Sequence, residues 1–360
     1  MAPFAQLFVV FAIVLNGFLG VASTPAPGRP WSQKKCKSID VRKEWRTLSI
    51  HQRRDYIRAV KCLAKKPSNA GPGRLAMKTR FDQFVAAHFD LNLNVHAVGQ
   101  FLPWHRHFVT LYTNALRDEC GYRGPTPYWD WTRDADAPEP FVNSPVFDTV
   151  LGFGGDGVFG TADPLPPMDT PFPPLPGFPT GPKAPEGCLQ SGPFKDFKVR
   201  FGPLPDEESP TGMCIVRGIF EGVRNNVNST SLAATLAQPT FEDFRNFIEL
   251  QAAPLEEAAG IHWAGHAIVG GTMMNGYGAP ADPIFYLHHA NLDRIWTKWQ
   301  NADRQNRLYE ISGPISVVPE TDVQVTLDWI LPFETVADPI PLRDVMDTEV
   351  YPSCFRYDDQ

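Results

Sequence analysis

Eight of the nine histidines fall into two groups: His88, His96, His105 and His107, then His262, His266, His288 and His289. Between them lies a stretch, residues 138–210, that holds 17 of the 36 prolines and many glycines. Proline lacks a backbone N–H and clashes with the preceding turn, so this stretch cannot supply a helix bundle. The histidines lie in the helically patterned segments on either side. If the two groups serve separate sites, the proline-rich stretch is a linker between two domains. If they serve one site, it is an excursion within a single domain, because its ends are held by the two halves of that site.

His262 and His266 are four residues apart in a helical pattern, which puts both imidazoles on one face about one turn apart, able to share a metal. Trp263 follows His262, so this is not the H-E-x-x-H zinc-protease motif. A third ligand is on offer at His288-His289. Adjacent helical residues point about 100° apart, so one of the two can reach the ion and the other cannot. His289 shares its face with Phe285, Asp293 and Trp296, an aromatic wall and a carboxylate able to orient an imidazole. In the first group His105 and His107 point roughly 200° apart and serve different surroundings. His105 lies with Val109, Tyr112 and Leu116 and points inward. Two sets of three histidines result. Such all-imidazole sets suit copper, zinc, iron and nickel, and leave open positions for an exogenous ligand such as dioxygen. His51 stands apart in a charged stretch and reads as a solvated helix residue.

The 360 residues are enough for one large domain or two ordinary ones. At 43% hydrophobic and 20% charged the chain is too apolar for wholesale disorder, and a net charge of -7 argues against a general nucleic-acid binder. Residues 4–20 are nearly all apolar and precede Val21-Ala22-Ser23, then a helix-breaking Thr24-Pro25-Ala26-Pro27-Gly28. This pattern reads as a secretory signal over residues 1–23, with 24–360 as the mature chain and no later segment long and apolar enough to span a membrane. Secretion makes Cys36, Cys62, Cys120, Cys188, Cys214 and Cys354 candidates for up to three disulfides. Spacing does not choose among the pairings, although Cys188 and Cys214 favour a tethered excursion. Asn228-Ser229-Thr230 is a glycosylation sequon.

Helical patterning is expected from about Asp40 to Lys66 with a capping box at Ser49 and Gln52, from a cap at Thr79 to His88, and from Pro103 to Cys120 with Gly121 past the end. It resumes at a Thr240 cap, continues through Leu255 to Ile268, and returns from Asp282-Pro283 to about Gln300. Short strands are expected between Ile311 and Ile340.

Three runs stand out: Phe101-Leu102-Pro103-Trp104-His105-Arg106; Pro127-Tyr128-Trp129-Asp130-Trp131; and Asp282-Pro283-Ile284-Phe285-Tyr286-Leu287-His288-His289-Ala290-Asn291-Leu292-Asp293-Arg294. They resemble the type-3 copper family of tyrosinases, catechol oxidases and haemocyanins. The similarity covers about Cys36 to Tyr357 and is closest to short secreted fungal tyrosinase-like proteins. The resemblance implies a mainly α fold: a four-helix bundle around a binuclear copper site, with long Pro/Gly-rich loops and a few short strands, in one domain over 24–360 with 138–210 as an excursion. It implies two copper ions, the first on His88, His96 and His105, the second on His262, His266 and His289. Phe285 would pack between the ligand helices, and Asp293 and Arg294 would form a structural polar pair.

Three departures bear on chemistry. Many fungal relatives carry a cysteine two residues before the second histidine of the first site and form a thioether bridge; Asn94 stands here. Relatives that hydroxylate monophenols often carry an Asn after the first histidine of the second site, holding a water with a nearby Glu. Trp263 stands here, with Glu256 and Glu257 upstream. Many relatives carry a lid domain after a Tyr/Phe-x-Tyr motif. Phe355-Arg356-Tyr357 matches that motif with three residues after it, so an open site is expected. The implied activity is oxidation of o-diphenols or o-aminophenols by dioxygen to o-quinones or quinone imines. The competing readings are a tyrosinase with monophenol hydroxylase activity, a haemocyanin-like oxygen carrier, and a copper-free structural relative. Met274 and Asn275, with Trp263, are candidates for the pocket wall. The partners are dioxygen and a small phenol, with no nucleic acid and no membrane after signal cleavage. The sequence fixes no oligomeric state.

Overall fold

A computed structural model describes residues 35–71, 73–162, 186–202, 207–249 and 260–360. Among them the helices are α1 (Ile50–Leu63), α2 (Arg80–Val95), α3 (Phe101–Cys120), α4 (Thr132–Ala135), α5 (Ser229–Leu236), α6 (Phe241–Glu249), α7 (Ile261–Val269), α8 (Ile284–Ala302) and α9 (Arg304–Arg307). The strands are short: β1 (Asp40–Glu44), β2 (Pro127–Tyr128), β3 (Gly157–Phe159), β4 (Gly187–Leu189), β5 (Val199–Phe201), β6 (Glu208–Met213), β7 (Val216–Arg217), β8 (Ile330–Leu331), β9 (Ile340–Pro341) and β10 (Phe355–Tyr357). The fold is mainly helical, with four of the longer helices, α2, α3, α7 and α8, gathered around the histidines.

Local chemistry explains where the helices start. Ser49 and Gln52 form a reciprocal capping box at α1, and Thr79 and Asp82 form another at α2. The Thr240 hydroxyl accepts from the Asp243 N–H at the start of α6. The Asp282 carboxylate accepts from the Ile284 N–H at the start of α8. Helix α3 stops at Gly121, whose φ of 66° places it in the left-handed region that glycine tolerates.

Several expected boundaries move. Residues 40–44 form strand β1, not helix. Its partners are non-local: β1 runs parallel to β10 on one side and to β2 on the other. Helix α2 extends past His88 to Val95. Helix α6 is described as far as Glu249, and α7 begins at Ile261 after a non-helical Gly260. Residues 250–259, including Glu256 and Glu257, lie outside the described residues, as does the expected signal segment 1–23. Between Ile311 and Ile340 the expected strands reduce to the two-residue pair β8–β9, antiparallel, and isolated bridges.

The described part of the proline-rich stretch carries small sheets. β3, β4 and β7 form one antiparallel sheet, and β5 and β6 pair beside it. Arg217 on β7 donates to both carboxylate oxygens of Asp282, at 2.7 and 3.0 Å, with both side chains fully buried. The strand that follows the excursion is thereby bonded to the start of α8.

All six cysteines pair: Cys36–Cys354, Cys62–Cys120 and Cys188–Cys214. The second ties α1 to α3, and the third closes a loop over the C-terminal end of the excursion. The core is rich in aromatic side chains, with Trp45, Trp104, Trp129, Trp131, Trp296 and Trp299 fully buried. The Tyr128-Trp129-Asp130-Trp131 run is part of this core. No helix among the described residues is long and apolar enough to cross a membrane.

Candidate metal centre

Each helix delivers its histidines for a local reason. His88 lies within α2, and His96 is the first residue past its end. His105 lies in the first half of α3, His262 and His266 one turn apart on α7, and His288 and His289 in α8. All are buried, while His51 is exposed on α1.

The backbone fixes the tautomers. The Nδ1 atoms of His88, His96, His105 and His266 lie 2.6–3.0 Å from the carbonyl oxygens of Tyr277, Asn92, Phe101 and Met273. A carbonyl only accepts, so each Nδ1 carries the proton and donates. Each Nε2 then carries a lone pair. Burial pushes these imidazoles down from their ordinary range, His96 to about 4 and His266 to about 3, so they are neutral ligands at neutral pH.

The structure brings the six expected ligands together as two groups of three. In the first, donor atoms of His88, His96 and His105 lie within 4.8 Å of one another, and the Nε2 atoms of His88 and His105 are buried without a partner among the described residues. In the second, His266 Nε2 lies 3.2 Å from His262 Nε2 and 3.3 Å from His289 Nε2. With His262 and His289 in the tautomer that also presents Nε2, three lone pairs converge at the spacing of a shared cation. Two nitrogens each about 2.0 Å from one tetrahedral ion would stand roughly 3.3 Å apart. The donor set therefore fits two metal ions. The groups adjoin: His105 stacks on His289 at 4.3 Å, and Phe285 lies 5.1 Å from His88 and 4.1 Å from His289.

His288 also lies in the second cluster. Its Nδ1 accepts from the Trp131 indole N–H at 3.3 Å, which commits that nitrogen. His107 faces away from both groups. It packs against Phe333, and burial lowers it to about 3.

Three expectations need correction. Asp293 does not orient His289, whose Nδ1 has no partner among the described residues. Nor does it pair with Arg294. Its carboxylate accepts from Arg42, Arg106 and Tyr357, all buried, while Arg294 binds Asp359 and Asp130. One turn of helix gives the right spacing to His289, but two buried guanidinium groups claim the oxygens first. Asn275 does not line the cavity over the histidines. That cavity, of about 40 Å³, is walled by His88, His96, His262 and His266 together with Ala97, Trp263, Met273, Met274 and Glu249. Asn275 faces a larger cleft of about 360 Å³ on the other side of the same loop.

Glu249 was not among the sequence candidates. Burial raises its carboxyl to about 7 despite the opposing pull of Arg245. It accepts from the Ala97 N–H at 2.7 Å, beside His96, where Ala97 has a φ of 57°. An acid four residues after Arg245 reads as an exposed helix pair, and only the fold turns it toward the metal cavity.

Comparison with known proteins agrees with this geometry. The family described as "Common central domain of tyrosinase" matches residues 78–302, which include all six donors. The chain belongs to the tyrosinase family. It is 35% identical to "Tyrosinase P" of Aspergillus terreus, covering 98% of this chain and 99% of that protein. It is 32% identical to an N-acetyl-6-hydroxytryptophan oxidase of Emericella nidulans, covering 91% and 94%. A polyphenol oxidase variant from Thermothelomyces thermophila superposes with a TM-score of 0.75 at 30% identity, covering 90% of each chain. As a tyrosinase-family protein, the chain is a copper oxidoreductase with a binuclear copper cofactor, acting with dioxygen on phenolic substrates.

Proposed function

We propose that this tyrosinase-family chain oxidises o-diphenols, and the related o-aminophenols, to o-quinones and quinone imines. His88, His96 and His105 would hold one copper ion, and His262, His266 and His289 the other. When bound, the copper pair supplies dioxygen binding and two-electron redox chemistry. Per dioxygen, two diphenols each give up two electrons and two protons, and two waters form.

The chain's own residues do the positioning. Carbonyl acceptors on Nδ1 keep four imidazoles in the tautomer that presents Nε2. Phe285 fills the space between the groups and excludes water from the ligand side. Ala97, Met273, Met274 and Trp263 give the cavity an apolar wall that suits an aromatic ring.

The observation that carries the diphenol preference is Trp263 in that wall, directly after His262. An indole N–H donates and cannot accept, so it provides no seat for a water that would take the proton of a monophenol. Hydroxylation of monophenols is the second reading, and Glu249 favours it: a buried carboxylate at the cavity, raised to about 7, can take a proton. A steady-state panel of monophenols, o-diphenols and o-aminophenols on copper-loaded protein decides. Turnover of diphenols with little on tyramine is expected. Rapid tyramine hydroxylation without a diphenol-primed lag would establish the second reading.

Residues 24–360 are read as one domain and as the secreted mature chain. Three disulfides and the Arg217–Asp282 tie support this. Asn228, the proposed glycan acceptor, is half-buried, and its side-chain oxygen caps α5.

A further inference from the structure

One loop serves both metal groups. Between α7 and α8, the carbonyl of Met273 accepts from His266 Nδ1 at 2.6 Å, and the carbonyl of Tyr277 accepts from His88 Nδ1 at 3.0 Å. The carbonyl of Gly276, between them, accepts from the Asn92 side chain of α2. A histidine of the second group and a histidine of the first are thus oriented by carbonyls four residues apart on the same strand of chain.

The shape of that loop is set by Asn275. Its Oδ1 accepts from the N–H groups of Tyr277 and Gly278, both at 3.0 Å. Its own N–H donates to Thr272, and its carbonyl accepts from Ala279. From outside, the backbone at Gly202 comes close to the amide: a Cβ added there would stand 2.9 Å from Asn275 Nδ2. Its oxygen is therefore bonded within the loop, while the amide faces the larger cleft beside Gly202.

We propose that Asn275 is a positioning residue for both copper sites: by folding the 273–278 loop, it fixes the separation of the carbonyls that hold His266 and His88. This rests on the reading that the two histidine groups bind the two copper ions. Residues behind a ligand typically contribute about 10- to 100-fold to metal affinity. Here one residue contributes to both ions through two carbonyls.

The test is copper retained per chain in competition with a chromogenic copper(I) chelator, for wild type, Asn275→Ala and Asn275→Asp. The melting temperature of each metal-free protein is followed in parallel. Aspartate keeps the oxygen that accepts from Tyr277 and Gly278. In Asn275→Ala both ions should be lost together, at about 10-fold or more lower chelator concentration than wild type. Asn275→Asp should restore retention. If Asn275→Ala does not fold, Asn92→Ala severs the tie between the same loop and α2 and should show the same paired loss. Unchanged retention in Asn275→Ala, loss of one ion only, or failure of Asn275→Asp to rescue overturns the role of Asn275. A wild-type chain that retains no copper overturns instead the metal reading beneath it.

Discussion

Gly265 lies where a side chain would collide with His288. A Cβ there would stand 2.2 Å from His288 Cε1 and 2.5 Å from Nδ1. The imidazole cannot retreat. Trp131 holds Nδ1, and the ring lies parallel to His262 at 5.9 Å and against His266 at 4.7 Å. Gly265→Ala should therefore push α7 away from α8 and take His262 and His266 out of register with His289. Overpacking of this kind costs about 1–3 kcal/mol. The expected result is a lowered melting temperature and a copper content near one ion per chain, measured by metal analysis. Two ions retained would show that α7 absorbs the methyl. At this scale the ligands were legible because helical spacing is a local rule: His262 and His266 need only each other. The partners of Asp293 and Asn275 were not. Asp293 meets Arg42 across 251 residues, and Asn275 meets Gly202 through a packing that no spacing encodes.

Four elements meet at Asp293. It lies on α8 and accepts from Arg42 of β1, Arg106 of α3 and Tyr357 of β10. Arg106 also donates to the carbonyls of Val345 and Met346 and to Gln300, and it stacks on Trp296 at 3.6 Å. One carboxylate thus neutralises part of a charge that two buried guanidinium groups bring. Removing one partner of a buried pair costs about 3–5 kcal/mol, since the charge left behind has no water to turn to. Asp293→Asn should lower the unfolding free energy by about that much in denaturant titration. The folded fraction should still retain two copper ions, because no donor histidine is bonded to Asp293. Loss of one ion with unchanged stability would restore the carboxylate to a ligand-orienting role. The same junction explains why β1 escaped a sequence reading. Its residues, Asp40-Val41-Arg42-Lys43-Glu44, carry no strand signature. They are extended because β10, more than 300 residues later, pairs with them beside the Cys36–Cys354 bridge. The helices, by contrast, announce themselves through caps at Ser49, Thr79, Thr240 and Asp282 that act within three residues.

For the whole molecule, the decisive quantity is the number of buried imidazoles. Eight of the nine histidines are buried, and burial depresses all eight, His96 to about 4 and His107 and His266 to about 3. In the unfolded chain each titrates near 6.5. Below that pH the unfolded state binds more protons than the folded one, so stability present above about 6.5 is lost as pH falls toward the folded values. Each such histidine removes about 1.4 kcal/mol per pH unit in that window. His96, His107 and His266 alone would remove about 4 kcal/mol per unit, against a total stability of about 5–15 kcal/mol. Glu249 works in the opposite direction. Its carboxyl is raised to about 7, so its contribution is present below the ordinary carboxylate range and is lost as pH rises through 7. Burial also raises the carboxyls of Glu44 and Asp82, but three carboxyls do not offset eight imidazoles. The metal-free chain should therefore be most stable above about pH 7 and unfold cooperatively between about pH 6 and 4, followed by circular dichroism. Copper should move that midpoint to lower pH, because ions bound only by the folded state add to its stability until their ligands are protonated. A metal-free chain as stable at about pH 4.5 as at 7.5 would mean that the imidazoles gain protons in place, and that the histidine core is open to water in the absence of its metal.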